Sequence, residues 1–366
     1  MRERNNIILK FIDKQLGPVL LILLGAFSRR RKYDVPSPDD LKVLVIKTGA
    51  FGDALLVGSA VSLIKKQKPK SKVTFICTFS NVQAVRGLGG VDQIYVFDLK
   101  RPWSSFAKLK ALGRFDLVLD FAPWARLNGL ISFFAAARYK VGFKTNGMHR
   151  HYVYDAVVEH SSSIHELDNY RNLLAAAGIR GGMPHPSFSP DPAGVAPVAE
   201  EDLQGTVVLH PFPGGALRRL KEWPEENWVA WGKKIVGTGR RIMITGGCDD
   251  AEAADRLAAR IGDQALSRAG SYNLNQTAWA IMKSGRLVTV DTGVMHLGSA
   301  VGAKVVSLHG PTSPERWGAN GPGANAIYHS FPCSPCISLG FESKCRDPKC
   351  MQEIKVDEVF SSLFDR

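Results

Sequence analysis

The sequence has no uninterrupted apolar run of the roughly 20 residues that a membrane-spanning helix needs. The nearest approach, Leu16–Phe27, is well short of it, and extending it back to Ile7 takes in Lys10, Asp13 and Lys14, which are costly in hydrocarbon. No small-residue cleavage site precedes Arg29–Lys32, which argues against a cleaved secretory signal. Cysteine is sparse, with six in 366 residues, so the chain is not a disulfide miniprotein. Acidic charge is in deficit: 34 Asp and Glu face 47 Lys and Arg. The net +13 favours an anionic partner, whether nucleotide phosphate, nucleic acid or a membrane surface. Nucleic acid is disfavoured, because much of the basic excess flanks an apolar segment and no aromatic-basic recognition motif is present.

What remains is the composition of a soluble globular protein long enough for two ordinary domains. Residues 1–34 form a basic, apolar segment of their own. Within residues 1–32, eight basic residues oppose Glu3 and Asp13, and they lie on both sides of the apolar run. That pattern suits a helix lying in the interface of an anionic leaflet, peripheral on the inner face of the cell membrane. The alternative is an N-terminal helix packed on the protein itself or on a subunit.

Beyond Val35-Pro-Ser-Pro-Asp the pattern is α/β. Short apolar runs at Lys42–Lys47, Val73–Cys77, Ile94–Phe97 and Asp116–Asp120 predict strands, with helix-like segments between them, the first over about Ala54–Lys68. Five prolines between Gly181 and Glu201 mark a linker. A second series follows, with strands at Thr206–His210, Arg241–Thr245, Leu287–Asp291 and Lys304–His309, and helices around 225–237, 250–261, 273–284 and 293–301. The chain thus divides into a segment 1–34, a Rossmann-like domain 41–182, a linker 183–204 and a second Rossmann-like domain 205–366, with a cleft expected between the domains. Ligands in such sheets belong at the carboxyl ends of the strands.

Four segments stand there. Lys47-Thr-Gly-Ala-Phe-Gly-Asp53 follows the first strand; Gly49 and Gly52 allow close backbone approach, but the spacing is not G-x-G-x-x-G, so no dinucleotide site is supported. Asp53 is either a helix cap or a general base. In His210-Pro-Phe-Pro213-Gly214-Gly215, leading to Arg218, Arg219, Lys221 and Trp223, backbone N–H groups and cations make either a phosphate cradle or a solvated basic loop. Thr245-Gly-Gly-Cys-Asp-Asp250 offers carboxylates to a ribose or base, or to a helix N-terminus. Asp291-Thr292-Gly293 opens a helix one turn before His296, which faces ligand or core.

Taken in order, Thr48-Gly-Ala-Phe-Gly-Asp53, His210-Pro, Lys221-Glu-Trp-Pro, Thr245-Gly-Gly, Asp291-Thr-Gly-Val-Met-His296 and Leu308-His-Gly-Pro-Thr312 resemble the bacterial lipopolysaccharide heptosyltransferases, family nine of the glycosyltransferases, from about residue 41 to the C-terminus. The resemblance implies a GT-B fold with an acceptor domain first and a donor domain second. It also implies inverting transfer of heptose, or a related sugar, from ADP-heptose to a lipopolysaccharide core or other lipid-linked saccharide. Asp53 then matches the catalytic base and Lys221 the lysine on the diphosphate, with Gly52, Asp291, Thr292, Gly293 and His296 expected on the donor and Asp250 near its adenosine end. Pro213-Gly214-Gly215 stands where some relatives carry hydroxyl side chains, which leaves either side chains or backbone to hold phosphate there. No cofactor is implied. The chain has no Asp-x-Asp to hold a divalent cation on a diphosphate, which predicts metal-independent transfer. A sugar-nucleotide epimerase of the same fold and a noncatalytic membrane-associated scaffold are the alternatives. Cys333, Cys336, Cys345 and Cys350 share one loop, 333–350, either as a structural zinc site or as free thiols.

Overall fold

The computed structural model describes residues 7–27, 35–36, 38–195, 198, 203–215, 217–338 and 343–364, the side chains of 7–14 and 27 excepted. The chain forms two compact units, Met1–Pro184 and His185–Arg366.

In the first unit, β1 (Lys42–Ile46), β2 (Lys72–Cys77), β3 (Gln93–Val96), β4 (Phe115–Asp120), β5 (Ala137–Lys144) and β6 (Ala156–Glu159) form one parallel sheet in the order β3-β2-β1-β4-β5-β6. Val43–Ile46, Val73–Cys77 and Leu117–Asp120 are buried without alternation, as strands covered on both faces must be. The helices α2 (Phe51–Gln67), α3 (Val82–Arg86), α4 (Pro102–Ala111), α5 (Arg126–Phe134) and α6 (Glu166–Ala176) belong to the same unit. The two outer strands β5 and β6 lie beyond the sequence expectation, which stops at Asp120. Their stretches, Ala-Arg-Tyr-Lys-Val-Gly-Phe-Lys and Ala-Val-Val-Glu, are only partly buried and lack the apolar run that marks β1 and β4.

The second unit repeats the plan. Strands β7 (Thr206–His210), β8 (Arg241–Ile244), β9 (Ala265–Ser267), β10 (Arg286–Val290), β11 (Lys304–His309) and β12 (Ala324–Tyr328) are parallel in the order β12-β11-β10-β7-β8-β9. Read from the third strand of each unit, both orders are 3-2-1-4-5-6, the Rossmann arrangement. Its ligand position is the fork where the order reverses, between β1 and β4 in one unit and between β7 and β10 in the other. In the connection between the sheets, residues 183–191 have no regular structure and Pro192–Gly194 makes one 3-10 turn; residues 196–197 and 199–202 of the predicted linker lie outside the described residues.

The predicted N-terminal helix is α1 (Ile7–Phe27). It packs on its own unit: Leu21 is fully buried with Val153 and Tyr154, flanked by Leu24, Leu130 and Phe133. Arg2, Arg4 and Arg29–Lys32 of the basic segment lie outside the described residues. Among the described residues no helix is long and apolar enough to cross a membrane.

Candidate active site

In the first unit, β1 delivers Lys47 and Thr48, both buried, to the fork. Asn81 Nδ2 donates to the Lys47 carbonyl at 2.8 Å and Thr78 Oγ1 to that of Thr48 at 2.9 Å, so residues after β2 fix the start of the loop. Its left-handed residue is Ala50, at φ 51°, rather than either glycine. Ala50 is also the N-cap of α2 and makes no side-chain cap, so Asp53 is not the cap that the sequence allowed. The Asp53 carboxylate, in the first turn of α2, meets Lys47 Nζ at 2.9 Å. The same ammonium donates to the Phe121 carbonyl at 3.3 Å and to Tyr170 Oη at 3.2 Å. Lys47 therefore holds Asp53 in place while Phe121, just after β4, and Tyr170 of α6 hold Lys47.

Behind this loop lies a buried polar cluster. Thr48 Oγ1 donates to Asn128 Oδ1 at 2.5 Å, and Asn128 Nδ2 reaches Asp120 Oδ1 at 3.4 Å. Asp120 also accepts from Tyr154 Oη at 2.6 Å and from Arg150, whose guanidinium further contacts the Ala122 carbonyl. Asp120 and Arg150 are buried, and the hydrogen bonds from Tyr154 and Asn128 and to the Ala122 carbonyl offset part of the cost of burying the pair, although Arg150 Nε has no partner among the described residues. The close fit extends to the backbone, since a Cβ on Gly142 would stand 2.4 Å from the Tyr154 ring.

In the second unit, the loop after β7 leaves Gly214 and Gly215 exposed, with nothing within 4 Å of the Cβ that each lacks, and Gly215 has φ 99°. Ala216 lies outside the described residues. The 3-10 turn Arg218–Lys221 follows, anchored at its far end by Trp223, which is buried, stacks edge-on against Trp228 and donates Nε1 to the Ile354 carbonyl at 3.1 Å. Lys221 Nζ donates to the Asp291 carbonyl at 3.1 Å and lies 3.5 Å from its carboxylate, which ties the loop after β7 to the end of β10 across the fork. Burial alone would raise the Asp291 carboxyl, but the Lys221 ammonium, His309, the Thr312 hydroxyl and His296 outweigh it and hold the group below its ordinary value. His296, buried in the helix Gly293–Ala300, thus sits in the core yet acts on the site. Thr292 is that helix's N-cap and makes no side-chain cap, and the Met295 N–H is taken by the Thr292 carbonyl at 3.1 Å, so it is the N–H groups of Gly293 and Val294 that are left to an anion.

Beside them, His210 Nδ1 pairs with Thr245 Oγ1 at 3.0 Å, and burial pushes its pKa down to about 4. Asp250 is already engaged: its carboxylate accepts from the Gly247 N–H at 3.0 Å and meets Arg218 at 3.3 Å, while Arg219 is exposed. The structure therefore gathers Lys221, Asp291, Thr292, Gly293 and His296 in one place, with Pro213–Gly215 on the loop leading to Lys221 and Asp250 joined through Arg218. Asp53 and Gly52 belong to the other unit. Sequence reasoning gave no role to Lys47, Tyr170 or His309. The signal for two of them was present: a charged or titratable residue ends an otherwise apolar strand run at Lys47 and at His309.

All six cysteines are free, and burial, with Cys336 and Cys333 nearby, pushes the Cys350 thiol up to about 11. Among the described residues no group of three or more His, Cys, Asp or Glu side chains is placed to hold a metal ion.

Two Rossmann-ordered sheets, each with a polar loop at its fork, make this a GT-B protein. A solved glycosyltransferase of family 9 from Veillonella parvula superposes with a TM-score of 0.76 at 19% identity, covering 90% of this chain and 98% of that one. The Escherichia coli heptosyltransferase WaaC with ADP gives a TM-score of 0.68 at 19% identity, covering 88% and 98%; both are likenesses of fold. Residues 106–345 match glycosyltransferase family 9 (heptosyltransferase), and the chain belongs to that family. It is 30% identical to the lipopolysaccharide heptosyltransferase 1 of Pseudomonas aeruginosa over 169 residues, 42% of this chain and 46% of that protein. The match spans less than half the length of such relatives.

Proposed function

We propose that this protein transfers heptose, or a closely related sugar, from ADP-heptose to a lipopolysaccharide core or other lipid-linked saccharide, with inversion and without a metal ion. The observation that carries the reading is the Lys221–Asp291 tie across the β7/β10 fork, beside the open helix N-terminus at Gly293 and the bare backbone of Gly214 and Gly215. Cation, helix N–H groups and loop N–H groups together suit a nucleoside diphosphate. The choice of ADP is supported by the family and by the ADP held by the Escherichia coli relative.

In this reading Asp53 takes the proton of the acceptor hydroxyl as its oxygen attacks the anomeric carbon from the face opposite the leaving diphosphate. Lys47 keeps the carboxylate oriented. Lys221 and the N-terminus at Gly293 meet the negative charge that grows on ADP, a task that charged side chains perform without a divalent cation. Asp291 aims Lys221, and Arg218 with Asp250 lies toward the nucleoside. The expected setting is cytoplasmic, on the inner face of the cell membrane, where nucleotide-sugar donor and lipid-linked acceptor meet.

Thermal unfolding with ADP, UDP, GDP and CMP is the test. ADP at a hundred times its Kd should stabilise the protein by about 2.7 kcal/mol, and Lys221→Ala should abolish the shift. A response to a different nucleotide changes the donor, and none to any of the four removes the donor site proposed here.

A further inference from the structure

We propose that α1 seats this protein on an anionic lipid bilayer, with Leu16, Val19, Leu20 and Leu23 at the boundary of the acyl chains. The inference rests on the lipid-linked acceptor only for its purpose; its geometry stands on α1 itself.

The helix has two unlike faces. One is spent on the protein: a Cβ on Gly17 would lie 2.6 Å from Arg126 Cδ, and one on Gly25 2.4 Å from Tyr152 Cβ, so glycine lets the backbone approach that closely. Leu21 between them is fully buried and packs near Gly129 of α5. Residues 17, 21 and 25 recur every four, which is one side of a helix. On the other side Leu16, Val19, Leu20 and Leu23, at the i, i+3, i+4, i+7 spacing, are 63%, 57%, 42% and 56% exposed. None of these four side chains is needed to hold α1 down. A helix fixed to its domain by one face and apolar on the opposite face has a use for that second face.

Charge decides what covers it. The segment 1–32 carries eight basic residues against two acidic ones. A second copy of the chain docked there would bring two such +6 segments together, whereas an anionic lipid surface complements them. Because α1 is not long and apolar enough to span, it lies along the surface with this flank in the acyl boundary, while the net positive charge of segment 1–32 supplies the attraction to anionic head groups.

The test uses the full chain with vesicles of phosphatidylcholine alone and of phosphatidylcholine with phosphatidylglycerol, read by co-sedimentation. The chain should partition into the anionic vesicles, less so as salt is added. A Leu16→Ser, Leu20→Ser, Leu23→Ser variant should partition on the order of a hundredfold more weakly while keeping its melting temperature, since the three side chains are exposed. Undiminished partitioning of that variant overturns the proposal. So does a wild-type dimer in sedimentation velocity that the variant dissolves, with no vesicle binding by either. The ADP shift and transfer to a water-soluble, delipidated core saccharide are measured on both proteins and should be equal. Vesicle binding lost only in the variant supports the seat even if neither protein responds to ADP, a result that overturns the donor reading alone.

Discussion

Asp53→Asn preserves shape and can still accept a hydrogen bond from Lys47, but it removes the group proposed to take the acceptor proton. Its turnover should fall by about 10²–10⁴, with the ADP-induced thermal shift unchanged because Asp53 belongs to the unit that lacks the donor loops. Turnover at the wild-type level would move the base elsewhere. His210 gives a test of a different kind. Its folded pKa of about 4 lies below its ordinary 6.5 because it is buried, so between those two values the unfolded chain binds more protons than the folded one. Its contribution to stability is complete above pH 6.5 and is lost as pH falls toward 4, by about 3 kcal/mol over the window. His210→Gln, which still offers a partner to Thr245, should lose less stability than wild type over that range in urea unfolding. Parallel stability curves for the two proteins would contradict the assignment.

At the scale of elements, the turn from β1 into α2 stores strain. Ala50 sits at φ 51°, where a Cβ is disfavoured and glycine is not. Ala50→Gly should therefore stabilise the protein by about 1 kcal/mol, read as a raised urea midpoint with an unchanged slope; a lowered midpoint would mean that the methyl group packs usefully. The same turn shows what the sequence could and could not reveal. β7 and β11 were legible residue for residue, and β1, β4 and β10 within a residue at either end, because a strand buried on both faces must be apolar throughout. The outer strands β5 and β6 were not, since partly exposed positions tolerate Arg, Lys and Glu. Gly-Ala-Phe-Gly marked a tight turn but not which residue would take the positive φ, for that depends on how Asn81 and Thr78 pin the carbonyls of Lys47 and Thr48. Asp53, Lys221 and Asp291 could be chosen from their positions after strands. The partners that set their chemistry, Lys47, Tyr170 and His309, reach them from 6, 117 and 18 residues away in the chain, and only folding brings them near.

At the scale of the molecule, the donor contacts proposed here all fall within His185–Arg366. ADP should slow amide hydrogen exchange after β7 and at the start of the helix Gly293–Ala300, and leave the Lys47–Asp53 loop unaltered in the absence of acceptor. Equal protection of both regions by ADP alone would show that nucleotide contacts reach the first unit. That separation follows from the way the sheets are wound. Each six-stranded sheet begins and ends within its own stretch of chain, and neither borrows a strand from the other. A chain built this way can change one half without disturbing the strands of the other: on the function proposed here, mutations in the first half would retune what is glycosylated, and mutations in the second what is spent to do it.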